Sequence, residues 1–180
     1  MPDFFFPDNT VLVNFAHIKR MDLLKKLLNG KGKWCATVAQ ECDRSSNVSG
    51  LATMKYAQSI FGEPLYPENQ VEYLHVVLLR EQITQPYDPP EKSLGEAETL
   101  AIMSRRFMAG YFITDDKEAA RLARQNNITV VSTWDLLKLA VNVKLVDVDT
   151  LWGYVQTLGT LGRGAPIRVS DRISFDEWLQ

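Results

Sequence analysis

Five acids spread along this sequence have the types and placement to do chemistry: Asp8, Glu41, Glu96 and the adjacent pair Asp115–Asp116. Carboxylates gathered at one point repel each other and drift toward protonation unless a cation offsets them. Mg²⁺ and Mn²⁺ prefer oxygen ligands, demand octahedral geometry and keep several waters. A partial carboxylate shell therefore suits them, and its open positions can take a phosphate and an attacking water. Nitrogen and sulfur chemistry has little to draw on. The two histidines, His17 and His75, each stand alone among apolar or basic neighbours, which argues against a zinc site or a histidine-based triad. Cys35 and Cys42 lack the spacing of a zinc knuckle and the number of a disulfide framework, so they read as reduced core residues.

Those acids must be positioned by secondary structure. Phe4–Phe6 reads as a short buried strand whose polar end emerges at Pro7–Asp8, followed by a connector. Leu23, Leu24, Leu27 and Leu28 recur at helical spacing over Met21–Leu28, and Asn29–Gly30 supplies a stop. Lys33–Ala36 reads as a second short strand, and Thr37 with Gln40 as a capping box opening a helix that carries Glu41. From Ser93 the pattern becomes regular: helix Leu94–Met108, strand Tyr111–Thr114, helix Lys117–Asn126, strand Thr129–Ser132, helix Trp134–Val141. Such alternation produces a parallel sheet covered on both faces. Ligands bind outside the carboxyl ends of such strands, which is where Asp8 and Asp115–Asp116 fall. Glu96 opens the helix before the second of those strands, and Glu41 lies early in its own helix.

Between these blocks, residues 43–93 are less regular. Helices are expected at about Val48–Phe61 and Glu68–Thr84, which makes this stretch a helical insert. A further helix is expected over Val148–Leu158. The Gly-rich basic stretch that follows reads as extended, and the ending SFDEWLQ as one turn docking Phe175 and Trp178.

At 180 residues the chain is sized for one compact unit. Its 46% hydrophobic and 23% charged residues are ordinary for a globular protein. A net charge of -2 excludes a broad basic surface, so any contact with nucleic acid has to be local. No apolar run approaches the roughly 20 residues that span a bilayer, and the start MPDFFFPDN lacks the pattern of a signal peptide. A cytoplasmic protein is expected.

Taken in order, several stretches resemble the PIN-domain family, and within it the VapC-like toxins and related prokaryotic proteins. They are D-N-T-V-L-V at Asp8–Val13, I-K-R-M-D-L-L at Ile18–Leu24 and V-A-Q-E at Val38–Glu41. L-G-E-A-E at Leu94–Glu98, I-T-D-D-K-E-A-A-R-L-A at Ile113–Ala123 and V-V-S-T-W-D-L-L at Val130–Leu137 complete the series. The resemblance implies an α/β, three-layer α/β/α fold with a mainly parallel central sheet, a PIN-like domain over 1–146 with its helical insert at about 43–93, and a C-terminal helix and tail over 147–180. It also implies an Mg²⁺- or Mn²⁺-dependent endoribonuclease, similar to the toxin of a toxin–antitoxin pair, working as a homodimer on RNA and silenced by an antitoxin-like protein inhibitor. On that likeness Asp8, Glu41, Glu96 and Asp116 are the catalytic acids, and Asp8, Glu96, Asp115 and Asp116 the metal ligands, the doubled acid leaving the last position open. Thr10 corresponds to the hydroxyl residue that follows the leading aspartate. The order D-N-T departs from the family's D-T-N or D-T-S, and Pro7 stands where an apolar strand residue is usual.

Substrate contacts are assigned to Thr10, Arg105 and Arg106, with Lys19, Arg20, Lys31, Lys33, Arg163 and Arg168 as further cations. Each acid also has a plainer reading. Ser93–Glu96 fits a capping box, Asp115 and Asp116 suit a helix start, and Glu41 by itself is an ordinary helical glutamate. Asp8 after F-F-F-P has little structural purpose beyond a turn, and Asp147 and Asp149 read as caps. Two other functions stay open: a catalytically inactive PIN-like interaction module, and a DNA-directed structure-specific nuclease.

Overall fold

Alternation with period two sets the architecture. In strand β1 (Phe4–Pro7), Phe6 points to one side of the sheet and Phe5 to the other. In β2 (Gly110–Ile113), Phe112 and Ile113 divide the same way, and β3 (Thr129–Val131) repeats the division with Val130 and Val131. A computed structural model describes residues 4–180, so Met1–Asp3, at the head of MPDFFFPDN and of the 1–146 span, lie outside the described residues. The strands form a parallel sheet in the order β1-β2-β3, with Phe5 opposite Tyr111 and Tyr111 opposite Thr129. Helices cover both faces, as a parallel sheet requires, giving the α/β/α layering of the PIN-like fold.

On the first face lie α1 (Asn9–His17), α2 (Met21–Leu28), α3 (Ala36–Ser46), α8 (Thr133–Asn142), α9 (Val148–Thr160) and α10 (Arg172–Leu179). On the other lie α5 (Gln70–Glu81), α6 (Leu94–Arg105) and α7 (Lys117–Gln125). The α6 helix is buried along Gly95 and Ala97–Met103, because α3 packs on one side of it and α5 on the other.

Several expectations from the sequence give way here. Residues 9–20 are not a connector: Val11, Leu12, Phe15 and Ala16 are all buried in α1, which Asp8 caps. Thr10, Val11, Val13 and Phe15, all β-branched or aromatic, hide its helical period. Lys33–Ala36 forms no strand, only single parallel bridges from Gly32 to Phe5 and from Cys35 to Leu65. The helix after it starts two residues earlier than expected, at Ala36 with Cys35 at the cap position, and Thr37 does not cap it. Val48–Phe61 is a 3-10 turn over Ala52–Tyr56 and the short α4 (Gln58–Phe61), entered from Gly50 in the left-handed region. Pro7 stays in register with Ile113, since an edge strand needs no donor there and the ladder resumes with Asp8 N–H donating to the Ile113 carbonyl at 2.8 Å. The chain end is eight residues of helix with a reciprocal cap between Asp171 and Ser174, and it buries Phe175 fully.

Gly110 shows how tightly β1 and β2 fit. A Cβ there would stand 2.4 Å from the Phe4 carbonyl oxygen, so Gly110→Ala is expected to cost about 1–3 kcal/mol through forced backbone displacement. Gly153 in α9 has nothing within 4 Å of the same position, and Gly153→Ala should stabilise by roughly 0.5–1 kcal/mol. Urea unfolding of the pair checks the contrast, and equal midpoints would contradict the close approach.

Candidate active site

Three parallel strands end on one edge of the sheet, and their exits bring the acids together. Asp8 follows β1 and is 4% exposed. Its carboxylate accepts from the Thr10 amide at 3.2 Å, from the Thr10 hydroxyl, and from the Thr114 hydroxyl at 3.2 Å. Thr114, just after β2, accepts in turn from the Asp116 amide at 3.1 Å, which makes it a relay between the two strand exits. Burial raises the Asp8 pKa; the Thr10 and Thr114 hydrogen bonds pull it down, and Asp115 adds to the rise.

The adjacent aspartates do different things. Asp115 accepts from the Asn14 amide and the Thr133 amide at 2.9 Å each, and from the Thr133 hydroxyl, so both of its oxygens tie β2 to α1 and α8. Asp116 is exposed and uses only Oδ1 for capping, accepting from the Ala119 amide at 2.8 Å. Both therefore serve at helix starts, and Asp116 alone keeps a second oxygen out of those bonds.

Glu96 and Glu41 behave unlike caps. Ser93, in the left-handed region, makes no side-chain cap, so the capping box expected with Glu96 does not form. Burial pushes Glu96 up to about 8, with Asp8, Glu41 and Asp116 adding to the rise. Burial likewise holds Glu41 at about 7, where Asp8 and Glu98 raise it and Arg44 lowers it. A buried carboxylate crowded by other carboxylates is costly. Such crowding makes the two glutamates candidates for a functional site.

Glu98 explains how Glu41 is placed. It is 6% exposed, and its carboxylate accepts from the Ala36 amide at 3.1 Å and from the Thr37 hydroxyl. It caps the start of α3 from a neighbouring helix, where an anion also meets the helix dipole favourably. The Glu41 oxygens then lie where a Cβ on Gly95 would meet them at 3.1 and 3.3 Å, with Val38 at 3.0 Å. Gly95→Ala is therefore expected to shift Glu41 by a few tenths of an ångström and lower turnover by about tenfold, since small misplacements at a reacting centre are expensive. Parent-like turnover in a folded Gly95→Ala protein would show that the Glu41 position is unimportant.

The structure does not bring every expected residue to this place. Arg106 pairs with Glu68 and Glu72, and Arg105 donates to His75, which commits both to the α5–α6 junction. They sit at the far end of α6 and its C-cap, nine and ten residues from Glu96, about 14–15 Å along the helix. Their assignment to substrate is corrected. Arg20 is tied to Asp22 and Tyr154, and Lys31 and Lys33 bond to Phe5 at the opposite end of β1. Thr10 spends its hydroxyl on Asp8, a positioning contact.

Arg163 does arrive. Its Nε donates to Asn14 Oδ1 at 2.7 Å and its Nη2 to the Thr10 carbonyl at 3.2 Å. Asn14, Thr114, Thr133 and Glu98 were given no role from the sequence. A polar Asn14 inside the apolar run V-L-V-N-F-A was the readable sign of a buried network.

A family model described as a PIN domain matches residues 5–162. The chain belongs to the PIN-domain family. That family has the general character of a nuclease that uses divalent metal ions. The matched span includes residues 43–93 and stops at 162, so Arg163 and α10 lie beyond it. No curated protein and no solved structure matches the chain at a significant level.

The residues present can be tested against such an ion. Among the described residues, no three His, Cys, Asp or Glu side chains are grouped closely enough to hold one between them. Mg²⁺ commonly takes one or two carboxylates and keeps its other waters, so the donor set of this PIN domain fits an ion held by few direct ligands. Two features favour that fit: Glu41 and Glu96 are crowded by neighbouring carboxylates, and the buried Oδ1 of Asn9, next to Asp8 in sequence, has no donor among the described residues. Among the described residues no helix is long and apolar enough to cross a membrane.

Proposed function

We propose that this chain is a divalent-metal-dependent endoribonuclease, similar in role to the toxin of a toxin–antitoxin pair. The observation that carries this reading is the crowding of Glu96 and Glu41 against Asp8 at the strand exits. Asp8, Asp115 and Asp116 each have capping work that an inactive module would also need. Glu41 has none and Glu96 accepts only from its own backbone amide, which favours chemistry over scaffolding.

One or two of Asp8, Glu96 and the second oxygen of Asp116 would hold Mg²⁺ or Mn²⁺ directly and the rest through its waters, with Asp115 fixing the floor beneath them. The bound ion supplies positive charge for the phosphate and makes a water easier to deprotonate. Glu41, its pKa raised to about 7, would take a proton from the attacking water as that water's oxygen bonds to phosphorus, while the bond from phosphorus to the leaving oxygen breaks and that oxygen takes up a proton from solvent. Thr10 and Thr114 orient Asp8 throughout.

The test is cleavage of end-labelled single-stranded RNA with Mn²⁺, Mg²⁺ or chelator, beside flap DNA of matched sequence. Metal-dependent internal cuts in the RNA are expected. Cutting of the flap alone would make the protein a DNA nuclease, and no cutting of either would favour the interaction module. A second copy of the chain has a natural place on α5, where Val71, Leu74 and Leu78 are 46–58% exposed along one stripe. A monomer in sedimentation at micromolar concentration would count against that dimer. The protein inhibitor is proposed to cover the acids; a small partner that copurifies with the chain and stops cleavage is its test.

A further inference from the structure

Beside Asp115 and Asp116 a groove of about 540 Å³ opens between α7, the start of α8 and the chain end. That volume lies within the range of clefts that hold small ligands. Its walls differ in kind. Lys117 and Arg124 line it from α7, both exposed, while Arg121 on the same helix is paired with Glu118. Trp134 stands at the start of α8, and Pro166, Ile167 and Trp178 come from residues 163–180, beyond the span matched to the family.

This second wall is held in place. Arg163 pins its near end to Asn14 and Thr10, and Lys138 donates to the Trp178 carbonyl at 2.6 Å with its charge over the indole. Phe175 anchors the helix in the core. Yet Ile167 is 85% exposed at the rim, an apolar side chain held out by a fixed segment.

We infer that this groove is a nucleotide subsite of the acidic centre, holding an unpaired base of single-stranded RNA against Trp134, Trp178 and Ile167 while Lys117 and Arg124 take its flanking phosphates. The inference rests on the nuclease reading and adds to it the strand state of the substrate. Cations beside aromatic faces are the combination that binds single strands, because every base has a face to stack and every linkage a charge. An acidic peptide would use the two cations but has no base to lay against Trp134, Trp178 and Ile167. A double helix keeps its bases stacked and offers none to the indoles.

Full-length Asp8→Asn protein, which can bind without cutting, is the reference for fluorescence-anisotropy titration with a labelled eight-nucleotide RNA. Adding Ile167→Asp or Arg124→Glu, both at exposed positions, should each weaken binding by about tenfold. Blunt duplex of the same sequence should bind weakly and be indifferent to Ile167→Asp. If wild-type protein cuts RNA while both variants bind like the reference, the subsite falls and the nuclease reading stands. If it cuts nothing while both variants lose RNA binding, the groove stands as a binding site and the nuclease reading falls. Equal affinity for duplex and single strand, or capture of an acidic peptide in place of RNA, would overturn the assignment.

Discussion

Asp8→Asn should reduce metal-dependent RNA cleavage by at least about 10²–10³-fold, because charge stabilisation by a bound ion is worth several kcal/mol and each 1.36 kcal/mol is tenfold. The fold should survive. Asparagine caps helices about as well as aspartate, so the bond from the Thr10 amide persists, and the hydroxyls of Thr10 and Thr114 can turn to accept from the new amide. Removing a buried, like-charged carboxylate should leave the metal-free melting temperature equal or higher. Initial rates on labelled RNA, taken with thermal unfolding of the same preparation, check both halves. Parent-like cleavage by a folded Asp8→Asn protein would remove Asp8 from the active site.

The second large effect concerns stability without metal. Glu96 moves from the usual 4.5 to about 8 in the folded chain, so the folded state holds its proton over a range in which the unfolded chain has lost it. Stability is then full below about pH 4.5 and is lost progressively as pH rises toward 8. Glu41, near 7, acts in the same direction over a narrower window. In chelator at pH 8, Glu96→Gln is expected to be more stable than the parent by on the order of 1–3 kcal/mol, allowing for the solvent that reaches the group. At pH 5 the advantage should shrink, and millimolar Mn²⁺ should restore the parent while doing little for the variant. Urea midpoints across pH decide the matter. A parent that gains stability in chelator between pH 5 and 8 would show that the carboxylates are not crowded.

The positions of the acids were legible because three sit at strand exits, where the polar end of an apolar run announces itself. Asp8 after Phe4–Phe6 and Asp115–Asp116 after Tyr111–Ile113 needed only the alternation of strand and helix. Glu96 and Glu41 were legible through motif order, since an acid in the first turns of a helix is usually a cap. The residues that hold the acids in place were not. Thr114, Asn14 and Thr133 work through hydrogen bonds between positions more than 100 residues apart, and no local pattern records such a pairing. Glu98 was hidden for a related reason: it caps α3 across an interface, so nothing near Ala36 shows that the helix start is satisfied. The error over Arg105 and Arg106 has the opposite origin, since two adjacent arginines look available until Glu68, Glu72 and His75 are folded against them.

The pin made by Arg163 has a consequence for the order of events during synthesis. Its bonds to Thr10 and Asn14 close loops of 153 and 149 residues, among the most distant pairings in the chain. Closures of that span come late and slowly in folding. A nascent chain that has not yet reached residue 163 can form β1 and α1 but cannot finish the floor under the carboxylates. The proposed site therefore stays unfinished in a nascent chain until Arg163 has been made and has closed on Asn14 and Thr10.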